Sequence, residues 1–368
     1  MIALTERELE VLEALDQRTG PTAEKAQADF RRGGLPTRRN EAWKYSDLRA
    51  AARRVDTTIL ADWYKFFPIG PEADSLEQAP DSDIFAARWA AAMEPEATVY
   101  LVAAGETRDL EIEIDGHDGF GHATTIVRVA PGATCVARER YIGSATSLGN
   151  KVFRYEVGEG ATLHRIVLQE KSEGAVIIST AFVDVAEGAS FTQFTAAEGA
   201  GLARLETQVR HAGNGAFVRL DGLYLLSDSL HADLTSVVDH AGPNGQTSQL
   251  TKGVVRDTAR GVFQGKIVVE RGADGTDARM GHHALILGER AEVDAKPELV
   301  IYADDVQCAH GNTVGNLDES ALFYMQQRGI PVDEARALLT QAFLIEVVDR
   351  IEHDGAREVV RSWLTERL

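Results

Sequence analysis

A turn motif that recurs about every 28 residues constrains the fold of this chain more than any other feature. Gly132, Gly160 and Gly188 occupy equivalent places in three similar turn sequences, and Gly215 continues the series. Short β-branched runs fill the intervals between these turns. Stacked units can bury apolar side chains that no single unit could cover. The repeat therefore predicts a right-handed parallel β-helix, because each coil returns to the same edge and crossover connections are right-handed.

A β-sandwich of hairpins is the competing fold, but hairpins do not require a constant repeat length whereas coils of similar circumference do. We therefore expect a mainly β protein with helical ends. The predicted division is an N-terminal helical region (1–96), a β-helix core (97–312) and a C-terminal helical region (313–368).

Helix signals mark the N-terminal region. Thr5 and Glu8 form a capping-box pattern ahead of leucines at helical spacing. The segment 33–36, Gly-Gly-Leu-Pro, interrupts the helical pattern, and a short helix is expected around Phe85 to Met93.

The C-terminal region also carries clear helix boundaries. Asp318 is a predicted N-cap, Gly329 ends that helix, and Pro331 suits the entry to the next one. Gly355 is expected to interrupt the chain before a terminal helix. The long helix after Pro331 has a predicted apolar face made of Ala335, Leu338, Leu339, Ala342 and Phe343.

Charge and composition exclude several classes of function. The formal net charge of −19, from 38 basic and 57 acidic residues, repels a phosphate backbone, so nucleic acid is not an expected partner. The chain has no basic start followed by an apolar run and no stretch of about 18 apolar residues, so neither export nor membrane insertion is expected. Two cysteines provide no disulfide framework. We expect a cytoplasmic protein.

A candidate metal site lies in the segment from Asp304 to Gly311. On an extended segment, Cys308 and His310 would face the same side because they are two residues apart, and a thiolate and an imidazole could then address one metal centre. Asp304 and Asp305 could hold iron or act on the imidazole. Two ligands are too few for a structural zinc or an iron–sulfur cluster, so a partner chain would have to supply the others.

Each of these residues also has a simpler interpretation. Cys308 could be a small buried apolar residue, and His310, before a glycine that suggests a turn, could make ordinary backbone hydrogen bonds. The two aspartates could be surface turn residues. Cys135 lies in a strand-like run without a nearby histidine, and we assign it to packing.

Four segments resemble the SufB/SufD family, the scaffold proteins of the SUF iron–sulfur cluster assembly machinery. They are the segments 36–48, 296–299, 302–315 and 322–330, in the family's order. The first segment and the low cysteine count are similar to the SufD branch rather than to the longer SufB branch. The family's right-handed β-helix with helical ends agrees with the repeat.

The resemblance implies a non-ATPase scaffold subunit that pairs with SufB and binds the ATPase SufC through C-terminal helices from Asp318 onwards. It also implies that Cys308 and His310 lie close to the SufB interface and hold a transient cluster shared with SufB. FADH2 is an option for the whole complex, the isolated chain is expected to hold no cofactor, and it could form a homodimer. His282 and His283 stay unassigned.

One sequence feature bears on catalysis, and one enzymatic alternative stays open. No G-x-x-x-x-G-K-[ST] loop occurs, and the nearest sequence, at 261–267, is one residue short and lacks the hydroxyl that would bind magnesium. This chain is therefore not expected to hydrolyse ATP. The alternative function is a β-solenoid polysaccharide lyase or hydrolase, which would need acids and bases clustered on an exposed strand face.

Overall fold

A computed structural model describes residues 4–55, 64–65, 71–116, 119–143 and 147–368. The strands are β1 (Tyr64–Lys65), β2 (Ser75–Gln78), β3 (Glu96–Val102), β4 (Thr107–Gly116), β5 (Gly119–Val129), β6 (Thr134–Gly143), β7 (Ser147–Val157), β8 (Thr162–Gln169), β9 (Ser172–Val185), β10 (Ser190–Ala197), β11 (Ala200–His211), β12 (Phe217–Leu226), β13 (His231–His240), β14 (Gln246–Val255), β15 (Arg260–Val269), β16 (Thr276–Ile286), β17 (Glu292–Ile301) and β18 (Val306–Gly315). The α-helices are α1 (Glu6–Asp16), α2 (Pro21–Gly33), α3 (Leu48–Ala52), α4 (Phe85–Met93), α5 (Glu319–Gln327), α6 (Val332–Val348) and α7 (Asp354–Thr365).

From β3 onwards, successive strands alternate between two sheets. One sheet has the order β17-β15-β13-β11-β9-β7-β5-β3-β2, with β1 also beside β5, and the other has the order β18-β16-β14-β12-β10-β8-β6-β4. Neighbours are parallel except for β2 and β3. The chain therefore winds as a two-sheet parallel solenoid of about eight turns, which confirms the fold predicted from the repeat.

The recurring glycines adopt a conformation that favours glycine. Gly132, Gly160, Gly188 and Gly215 have φ values of 68°, 62°, 61° and 66°, in the left-handed region. The amide of Gly132 donates to the carbonyl of Glu159 one coil further on, at 2.9 Å, and the later turns continue this ladder. The turns thus stack on each other as the strands do, which explains the constant repeat length.

The N-terminal helices pack on the outer face of the first sheet. The capping box of Thr5 and Glu8 is present, and α2 and α4 begin or end where the sequence predicted. Phe30 and Trp89 form an aromatic cluster that continues onto Leu148 of β7. This layer explains why outward-facing residues of β7, β9 and β11 are apolar.

The C-terminal helices cover the outer face of the second sheet. Leu344 and Val347 of α6 and Trp363 of α7 pack with Ile166 and Phe194. Both faces of strands β8 and β10 are therefore buried, one inside the solenoid and one under helices.

The predicted apolar face of α6 is only partly covered by the described residues. Ala335 is buried, whereas Leu338 and Ala342 are exposed. Gly355 lies in the first turn of α7 rather than before it. The N-cap of α5 is Asp318 as predicted, with its carboxylate accepting from the amide of Ser320.

Candidate functional site

Cys308 and His310 lie on the last strand of the second sheet, β18. Their register partners in β16 are Ala278 and Met280, both of which face the solenoid interior, so the two candidate ligands also face inward. No described strand pairs with the outer edge of β18 or of β17. The stack of coils ends here, and the interior side of the last coil is left uncovered.

The Cys308 thiol is half-buried and packs against the interior apolar cluster. Partial burial raises its pKa, although a backbone hydrogen bond from Ala278 acts in the opposite direction. The isolated chain therefore carries a protonated thiol at neutral pH, and a metal that binds here must displace the proton.

The imidazole of His310 is exposed, and its surroundings differ from those expected. We interpreted His310 as a residue before a turn, but Gly311 continues the extended strand to Gly315. The turn lies earlier, where Asp304 and Asp305 are exposed and the Asp305 carbonyl accepts from the Gly275 amide at 2.7 Å.

Within the described residues, no group of three or more His, Cys, Asp or Glu side chains is arranged to hold a metal ion. Cys308 and His310 are two residues apart on one strand, so their Cα atoms are about 6.6 Å from each other. This chain alone offers two neighbouring donors rather than a closed coordination shell.

The adjacent residues His282 and His283 of β16 face opposite sides. His282 is buried inside the solenoid, with nitrogens 2.9 Å from the Tyr224 hydroxyl and 2.7 Å from Asn312 Oδ1. His283 faces outward and contacts the hydroxyl of Thr313. The contact of His282 with Asn312 was not predicted, although the repeat places these two residues side by side in the register of β16 and β18.

Cys135 is fully buried in β6, and burial raises its pKa to about 12, in agreement with a packing role.

A second buried group has the composition of a hydrolytic triad, Ser46, His231 and Asp233, but not the hydrogen-bond connectivity of one. The Ser46 hydroxyl donates to Asp233 at 2.5 Å and lies 3.4 Å from His231 Nε2. Ser46 is also fully buried, so this group fastens the N-terminal segment to β13 and cannot meet a substrate.

The family comparison agrees with this architecture. Residues 112–343 match the family model described as "SUF system FeS cluster assembly, SufBD core domain". The chain belongs to the SufBD family. It is thus a SufBD-family iron–sulfur cluster assembly protein.

Several relatives support this assignment. The iron–sulfur cluster assembly protein SufD of Escherichia coli is 27% identical over 97% of this chain and 95% of the relative. A SufBD family protein of Synechocystis is 32% identical over 55% of this chain and 45% of its own length. The SufD protein of Bacillus subtilis is 35% identical over 35% of this chain and 30% of its own length.

The C-terminal helices of this SufBD chain expose a second notable surface. None of the residues of α5 is buried, and Phe323 and Tyr324 are 63% and 59% exposed. Leu338 on the adjoining part of α6 is exposed as well. None of the described helices is long and apolar enough to cross a membrane.

Proposed function

We propose that this chain is the SufD-type scaffold subunit of a cytoplasmic SUF complex, which pairs with SufB and receives a nascent iron–sulfur cluster at Cys308 and His310. The observation that supports this most strongly is the uncovered last coil, where two metal-binding side chains face the interior from an edge strand. The role is binding rather than catalysis, and ATP hydrolysis belongs to SufC.

The two free strand edges suit a partner solenoid. β17 and β18 are ten-residue edge strands whose outward backbone groups are available for pairing, except that Pro297 of β17 has no N–H, and such edges are templates for strand addition. Ile301 and Val314 at this end are 40% and 44% exposed. A family member with a similar coil would extend both sheets and cover these side chains. A second copy of this chain would fit the same edges, so the isolated protein is expected to form a homodimer.

The incomplete donor set also favours a shared site. Iron–sulfur clusters commonly take four protein ligands, whereas Cys308 and His310 supply two. SufB would supply the rest, and the exposed carboxylates of Asp304 and Asp305 would hold iron on its way to the cluster. Because the Cys308 thiol must lose its proton, cluster loading should improve as the pH rises. The cluster is transient cargo, and FADH2 would serve the complex rather than this chain.

The exposed face of α5 and α6 suits SufC. Phe323 and Tyr324 provide an apolar patch, which is typical of a protein interaction site. Glu346 of α6 forms an ion pair with Lys252 of the second sheet, at 2.5 Å, and Arg350, just after α6, pairs with Asp221 at 2.8 Å. A displacement of these helices by SufC would therefore act on β12 and β14.

Co-expression with SufB and SufC tests this function. Cys308→Ser and His310→Ala should each lower iron and acid-labile sulfide per purified complex several-fold while the subunits still co-purify. Cys135→Ala is the matched control, because it alters the other cysteine in the same inward register. Unchanged iron and sulfide in both site variants would reject the cluster role.

The docking surface has its own test. Phe323→Ala combined with Tyr324→Ala should reduce the SufC that co-purifies, without changing the melting temperature of the isolated chain, since neither side chain is buried. Retention of SufC at the wild-type ratio would refute docking at this face.

A further inference from the structure

A series of hydrogen bonds connects the interior of the solenoid to its uncovered end. The His282 ring is fully buried and stacks on Phe263, with centroids 4.7 Å apart and planes at 6°. One ring nitrogen, Nε2, lies 2.9 Å from the hydroxyl of Tyr224, and the other, Nδ1, lies 2.7 Å from Oδ1 of Asn312. Packing and two directional contacts thus hold this imidazole in one orientation.

The surroundings also determine the direction of each hydrogen bond. Burial raises the pKa of Tyr224, so the phenol stays protonated and its O–H donates a hydrogen bond to His282 Nε2. Burial lowers the pKa of His282 to about 4, so the neutral ring has a single N–H, which must then be on Nδ1. Nδ1–H donates to Oδ1 of Asn312. The amide nitrogen of Asn312 has no hydrogen-bond partner among the described residues.

Asn312 lies on the same inward face of β18 as Cys308 and His310, because residues two apart on a strand share a face. It follows His310 at a Cα separation of about 6.6 Å. Its side chain is exposed at the uncovered end. A fixed amide donor is therefore next to His310 and lies about 13 Å along the strand from Cys308, on the same face.

We propose that Asn312 donates an Nδ2–H hydrogen bond to a sulfur atom of the cluster held by Cys308 and His310, and that Tyr224 and His282 are positioning residues for this amide. The inference rests on the proposed function. Hydrogen bonds to cluster sulfur stabilise the more negative, reduced state and so raise the reduction potential. The opposite amide orientation would direct an electron-rich oxygen at electron-rich sulfur. The relay from Tyr224 excludes that orientation.

The test uses the SufB-containing complex and a matched control pair. His283 and Thr313 occupy the next positions on the same two strands and make a comparable contact on the outer face. Asn312→Ala and His282→Phe should shift the midpoint potential of the bound cluster to lower values and change its Fe–S stretching frequencies. His283→Phe and Thr313→Ala should leave both measurements at wild-type values.

The outcomes separate this inference from the function on which it rests. Cluster loss in Cys308→Ser with a wild-type potential in Asn312→Ala would overturn only the amide's role. Iron and sulfide that are indifferent to Cys308→Ser would reject the proposed function itself.

A second measurement does not need the cluster. ¹⁵N NMR of the histidine rings in the full-length chain should show the His282 proton on Nδ1, and Tyr224→Phe should change that signal. A proton found on Nε2 in the wild-type chain would overturn the inference, even if no cluster can be loaded.

Discussion

The ion pair of Glu139 and Arg165 inside the solenoid should be costly to break but inexpensive to replace as a whole. Both residues are almost fully buried, and the guanidinium donates to the two carboxylate oxygens from Nε at 2.6 Å and from Nη2 at 2.8 Å. The hydroxyls of Tyr155 and Tyr141 donate to the same carboxylate, at 2.5 and 2.9 Å. The carboxylate therefore accepts four hydrogen bonds.

Glu139→Met would leave Arg165 charged, with only Gln193 at 2.7 Å and Thr207 at 3.3 Å as partners. Removing one member of a buried pair costs about 3–5 kcal/mol. We expect the upper end of this range, because the buried Lys151 also loses the charge that favours its protonated form. Arg165→Met should cost less, since Lys151 stays near the carboxylate.

The double variant Glu139→Met with Arg165→Met removes both members of the pair, and Lys151 becomes neutral at pH 7 because the Glu139 charge no longer raises its pKa. Tyr141 keeps a hydrogen bond to Ser179 at 2.7 Å, so Tyr155 is the hydroxyl that loses its acceptor, at a cost of about 1–3 kcal/mol. Urea unfolding followed by circular dichroism should give a coupling energy of at least about 3 kcal/mol, and adding Tyr155→Phe should recover stability. Losses in the two single variants that simply add in the double variant would refute this reasoning.

Three further predictions concern stability. The chain should lose stability as the pH falls from 6.5 to about 4, because histidines take up protons in the unfolded state that they cannot take up while buried in the folded state. Each such histidine should lower the free energy of unfolding by about 2 kcal/mol at pH 5. The histidines with a pKa lowered by burial to about 3 or 4 are His122, His231, His240 and His282. Equal melting temperatures at pH 7 and pH 5 would contradict this. Burial lowers the pKa of Lys151 to about 7, so Lys151→Met should raise stability at pH 7 by up to about 4 kcal/mol. This gain should shrink to below about 1 kcal/mol at pH 10, because the free energy of deprotonating the lysine on folding falls as the pH approaches its ordinary pKa; urea titrations at both pH values check the sign. A Cβ at Gly253 would lie 1.9 Å from the Tyr224 ring, so Gly253→Ala should lower the free energy of unfolding by about 1–3 kcal/mol or more and shift the urea midpoint down. Gly315→Ala, whose Cβ would meet no atom within 4 Å, should leave the midpoint unchanged, and equal midpoints in the two variants would contradict the overpacking.

The solenoid could be predicted from the sequence because its turns have a strict conformational requirement. Gly132 and its equivalents recur at positive φ, which glycine adopts with least strain, so the period is visible without knowledge of the strands. Which side chains point into the solenoid and which point outward was harder to predict. Leu163 lies inside the solenoid and Ile166 lies under the C-terminal helices, so both faces of β8 are apolar and the alternation is lost.

The polar interior and the site depend on register, which the sequence analysis did not use. Arg165 pairs in register with Ala137, and Glu139 is two residues further along the same inward face, so a separation of 26 residues brings the two charges together. His310 was assigned to a turn because Gly311 follows it, but this glycine is part of an edge strand. In both cases, counting one repeat length along the chain from each residue would have indicated its neighbour on the adjacent coil.

Cys135 and Cys308 show how position in the stack determines chemistry. They occupy the same inward register, connected coil by coil from Leu163 to Ala278. Cys135 has a strand on each side and is fully buried, whereas Cys308 has Ala278 on one side and no described strand on the other. The thiol is therefore open to chemistry only where stacking stops. Under the proposed function, a partner solenoid would cover Cys308 when the two chains join and expose it when they separate, so partner binding and cluster handling would depend on one interface.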